Sequence, residues 1–62
     1  MISNKFDVAI KSAGKITIMT PPEDMELTGD EAINLAAWLV ALAPMAGTTE
    51  KFEDVLAAVE AT

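Results

Sequence analysis

Apolar and polar residues alternate from Lys5 to Lys11, with Phe6, Val8 and Ile10 on one side and Lys5, Asp7, Ala9 and Lys11 on the other, the period of a half-buried strand. Ser12-Ala13-Gly14 interrupts the pattern, and Gly14 can take the positive φ of a tight connection. Alternation resumes over Lys15-Ile16-Thr17-Ile18-Met19-Thr20, which is rich in β-branched residues. In a hairpin, Ile16 and Ile18 share the side of Phe6, Val8 and Ile10. Pro21-Pro22 stops the second strand, because consecutive prolines remove two ladder donors and fix φ. Met25-Glu26-Leu27 alternates once more and leaves room for a short third strand.

The pattern then changes period. Thr28-Gly29-Asp30-Glu31 predicts a capping box: the Thr28 hydroxyl accepts from the amide three residues on, and the Glu31 carboxylate reaches back to the Thr28 amide. The helix it starts should run from Gly29 or Asp30 to about Ala43, where Pro44 disfavours helical geometry at the residue before it. From Ala32 to Ala43 only Asn34 is polar, so apolar side chains project around most of the circumference, and such a helix is expected to be buried all round. Twelve residues rise only about 18 Å, short of a hydrocarbon core of about 30 Å, so a membrane span is not expected. After a break at Ala43–Gly47, Thr48 or Thr49 can cap a second helix over Glu50 to Glu60. Its Phe52, Val55, Leu56 and Val59 recur at i, i+3, i+4 and i+7, the stripe of a one-sided amphipathic helix.

The expected fold is α+β: an N-terminal antiparallel β-hairpin, with or without the short third strand, followed by two helices packed on one sheet face, all in a single domain over residues 1–62. Composition sharpens this. Apolar residues make up 52% of the 62, which demands a core and excludes a disordered acidic tail. Yet a chain this short buries only about 60% of the surface its unfolded form exposes, and such domains usually need a disulfide, a metal or a partner. With no Cys and no His, disulfides and the usual zinc or haem ligands are missing, so no metal or cofactor is expected and association remains. The central helix, through Leu35, Trp38, Leu39 and Leu42, is the expected interface of a homo-oligomer, most simply a two-fold dimer.

Charge narrows the partners. The net charge of −6 repels phosphate backbones and anionic lipid, so neither nucleic acid nor membrane is an expected partner. No basic start with a hydrophobic stretch and a small-residue cleavage site follows Met1, and the expectation is a cytoplasmic protein. The charge is also segregated: residues 1–20 carry +2 and residues 21–62 carry −8, with Glu23, Asp24, Glu26, Asp30 and Glu31 falling within nine residues. That acidic surface lacks the alternating ligands of a calcium loop, and capping already accounts for two of its members.

No catalytic residue is assigned, since the serines and threonines have no His to activate them and no Gly-rich phosphate loop is present. The expected function is therefore that of a non-catalytic, small acidic, oligomeric interaction protein that binds or inhibits a larger protein. In size and composition, though in no motif, the chain is similar to the accessory proteins that phages and other mobile elements use against host machinery. Two alternatives stand beside it. One is an acidic DNA mimic that inhibits a nucleic-acid-binding protein. The other is an oligomer that holds a small ligand or nucleotide between protomers, with Lys5, Lys11 and Lys15 as anion contacts.

Overall fold

The structure is a computed structural model that describes residues 2–62, and its elements follow the expected α+β order. Strand β1 (Val8–Lys11) pairs antiparallel with β2 (Lys15–Ile18) across a single 3-10 turn at Ser12–Gly14, where Gly14 takes φ +67°. Val8 faces Ile18 and Ile10 faces Ile16 on the apolar side, as the alternation requires. At the turn Lys11 stands opposite Lys15, a like-charge pair that both side chains relieve by standing in water.

The first strand starts three residues later than the alternation suggests. Lys5 and Phe6 form a turn in which the Asp7 amide donates to the Asn4 carbonyl at 3.3 Å, and Asp7 takes φ +48°. The Asn4 side chain then bonds both backbone groups of Val8: its Nδ2 donates to the Val8 carbonyl and its Oδ1 accepts from the Val8 amide, each at 2.9 Å. Two further bonds, from the Met19 amide to the Asp7 carbonyl and from the Thr20 amide to the Phe6 carbonyl, carry the pairing past the ladder and hold Phe6 in place. Phe6 and Val8 are the buried core among the described residues.

The short third strand does not form, and the sheet has two strands. Glu23–Met25 is instead a 3-10 turn in which Asp24 and Met25 take φ +56° and +57°. Two successive left-handed residues reverse the chain and cannot lie in a ladder. Helix α1 (Gly29–Leu42) begins with the capping box complete: the Glu31 amide donates to Thr28 Oγ1 at 3.2 Å, and the Thr28 amide donates to Glu31 Oε1 at 2.9 Å. A 3-10 turn at Ala43–Ala46 ends it, closed by Gly47 at φ +96°.

Helix α2 (Phe52–Glu60) starts two residues later than expected and has no side-chain cap. Thr48 Oγ1 accepts from the Glu50 amide at 3.1 Å, so the threonine closes a local turn ahead of the helix rather than its first turn. Glu53 and Asp54 in that first turn suit the helix dipole. Helix α1 packs against β1, and the Ala43–Ala46 turn lies beside β2. Helix α2 is exposed along its whole length and faces α1 across an open groove through Phe52 and Leu56, and neither helix contains a buried residue. The radius of gyration is 12.5 Å, against about 10.6 Å for a compact chain of this length. No helix of the described residues is long and apolar enough to cross a membrane.

Candidate docking face

The all-round apolar character of α1 resolves into two faces. At 100° per residue, Leu35, Trp38, Leu39 and Leu42 share one side, and all four are half-buried within a single chain. These are the side chains expected at an oligomer interface; the structure brings them together, on the side from which α1 meets β1 and the N-terminal segment. Trp38 is pinned there, its indole Nε1 donating to the Ser3 carbonyl at 2.9 Å. Asn34, one turn earlier, donates from Nδ2 to the same carbonyl at 2.9 Å and accepts from the Lys5 amide at 3.4 Å. One backbone carbonyl thus receives two side-chain donors from α1, and the N-terminal segment is laced across the helix.

The opposite side of α1 is uncovered. Ile33, Ala37 and Val40 line an open groove of roughly 680 Å³ whose far wall is Phe52 and Leu56 of α2, and every residue lining it is apolar. Ile33 is 72% exposed and Phe52 44%. Along α2 the stripe that an amphipathic helix normally buries lies open as well, with Val59 64% exposed. Sequence reasoning expected part of α1 to need a partner but assigned that part to Leu35, Trp38, Leu39 and Leu42, the side that the structure half-buries; the exposed Ile33 and the α2 stripe, read there as an ordinary one-sided face, were the signal for this one. It also missed the part played by Asn34, although a single polar residue in an apolar helix signals a required hydrogen-bond partner.

The charged candidates are dispersed. Glu23, Asp24, Glu26 and Asp30 are exposed, whereas Glu31 is half-buried and committed to the helix cap. No group of acids among the described residues is arranged to hold a metal ion. Of the three hairpin lysines, Lys11 and Lys15 flank the turn, while Lys5 lies at the other end of the hairpin against α1, beside Ile33 and Asn34. They do not converge on one anion site. The arrangement can therefore cover apolar surface and present charge; at the far end of the hairpin the exposed Thr20 hydroxyl donates to Asp7 Oδ2 at 2.8 Å. Set against family models, curated proteins and solved structures, the chain matches none.

Proposed function

We propose that this chain is a non-catalytic interaction protein that works as an assembly of identical copies, with its apolar helical face turned inward and its acidic segment and hairpin left outside to engage a larger protein. The observation that supports this reading is the groove between α1 and α2, an apolar surface shared by two helices that no described residue of one chain covers. Soluble proteins rarely leave such a patch open unless it binds something. The small size of the core points the same way, since Phe6 and Val8 alone are a slight foundation for a folded domain without disulfides. Outside the groove, Glu23, Asp24 and Glu26 are exposed acids close together in sequence, which suits a basic protein partner through electrostatic complementarity.

Light scattering on a sizing column, over a range of protein concentrations, tests the reading. A mass above the 6.6 kDa of one chain is expected. A folded monomer at every concentration overturns it.

A further inference from the structure

We infer that the occupant of the α1–α2 groove is a second copy of this chain, bound across a two-fold axis through Ile33, Ala37, Val40, Phe52 and Leu56; this rests on the self-association proposed above and names its surface and its stoichiometry. Area is the first argument. A folded monomer of this mass exposes about 3,900 Å². The chain exposes 4925 Å². The surplus, about 1,000 Å², is close to the roughly 800 Å² that each partner contributes to an interface of standard size. The radius of gyration carries the same excess in another form. One further protein surface of similar size is what this chain lacks.

Shape is the second argument. A two-fold interface joins a patch to itself, so the patch must contain both a recess and something to fill it. Here the recess is the groove over Ile33, Ala37 and Val40, where the alanine allows close approach. The filler is α2, which borders the groove through Phe52 and Leu56 and continues outward into exposed Val59. Each copy can lay its α2 over the other's α1, and both recesses are filled at once. Charge sets a sign. Each copy carries −6, while the charged residues nearest the groove, Lys5 and Asp30 beside Ile33 and Ala37, are one of each sign and lie outside it, so the net repulsion acts from a distance through solvent and is screened by salt. Added salt therefore strengthens this dimer, whereas it would weaken a complex between the acidic surface and a basic protein.

The test is sedimentation equilibrium of the full chain at two ionic strengths, with Debye lengths of about 30 Å and about 8 Å, for the wild type, Ile33→Asp and Met25→Asp. Ile33 is 72% exposed in one chain, so the monomer fold tolerates the substitution; Met25 is 76% exposed, off the face, and serves as the control. The wild type and Met25→Asp are expected at twice the chain mass, more tightly associated at the shorter screening length. For Ile33→Asp the dissociation constant should rise at least about tenfold, with helical circular dichroism retained. A wild-type monomer overturns both this inference and the self-association reading. A wild-type dimer whose affinity is unchanged by Ile33→Asp, or which dissociates on adding salt, overturns the groove as its interface and leaves self-association standing. Should Ile33→Asp unfold, isotope-filtered cross-peaks in a mixed labelled and unlabelled wild-type dimer decide: contacts between copies from Ile33 to Phe52 or Leu56 are expected, and their absence overturns the inference.

Discussion

The substitution Asn34→Asp isolates one donor. It keeps the size of the side chain and one acceptor oxygen for the Lys5 amide, but it replaces the Nδ2 that donates to the Ser3 carbonyl at 2.9 Å with a second oxygen. Helix propensities of Asn and Asp are nearly equal, so the difference falls on this contact. A hydrogen bond of this kind contributes about 1 kcal/mol net. The Ser3 carbonyl keeps Trp38 as a donor and is open to water, so no full desolvation cost is added. Repulsion between the carboxylate and the carbonyl raises the total to about 1–2 kcal/mol, lower than the cost at a sealed site. For a domain of this size each kcal/mol shifts Tm by about 4–8 °C, so a fall of roughly 4–15 °C is expected at neutral pH.

The introduced carboxyl is held 2.9 Å from a carbonyl oxygen on one side, which outweighs the longer 3.4 Å bond it accepts from the Lys5 amide on the other, so its charged form is disfavoured and its folded pKa lies above the unfolded value of about 3.9. Its deficit is therefore full above the folded pKa and vanishes once pH drops below about 4, where the protonated acid can donate to Ser3 in place of the amide. Trp38 is the sole Trp and reports unfolding by its fluorescence. Melts of the variant and the wild type at equal protomer concentration, from acid to neutral pH, give the difference directly. An unchanged Tm at neutral pH, or a deficit that does not shrink in acid, would refute the account of Asn34 as a donor.

Two further substitutions probe the core and the helix start. Phe6→Ala removes the larger of the two buried side chains at a cost of about 3–5 kcal/mol, comparable with the whole stability of about 3–9 kcal/mol expected for 62 residues; the chain should lose its cooperative urea transition, and a retained transition would place the core elsewhere. Thr28→Ala breaks one bond of the capping box and leaves the Glu31 amide to water, so a loss of about 1 kcal/mol should appear as a lower urea midpoint with an unchanged slope.

What could be read from the sequence was local. The hairpin register follows from alternation between residues ten or fewer apart, and the capping box from Thr28 and Glu31 at the spacing that lets each reach the other's amide. The region before each element was harder. Lys5 to Asp7 alternate like a strand, but Asn4 sequesters Val8 and Asp7 turns to positive φ, so tertiary placement of Phe6 prevails over the pattern. Met25-Glu26-Leu27 shows the same conflict: three alternating residues are too few to overcome a reversal at Asp24 and Met25. The candidate site was harder to read. Leu35, Trp38, Leu39 and Leu42 form one face, as their spacing requires, but that face is half-buried within the chain and lies opposite the open groove. Which face of an apolar helix stays open depends on where the N-terminal segment docks, and that is settled by Asn34 and Trp38 bonding to Ser3, 31 and 35 residues away.

The bonds between Asn4 and Val8 bear on how such a chain avoids indefinite growth. In the register of the hairpin, Val8 and Ile18 form a pair whose backbone groups point away from each other, so the amide and carbonyl of Val8 face outward along the margin of the sheet. Unoccupied, they would be a template for a strand from a neighbouring molecule. The Asn4 carboxamide supplies one donor and one acceptor, as a peptide unit of that strand would, and fills both positions from within the same chain. A single side chain thus acts as a molecular stopper, and on this margin fibril-like addition has to displace a tethered amide before it can begin.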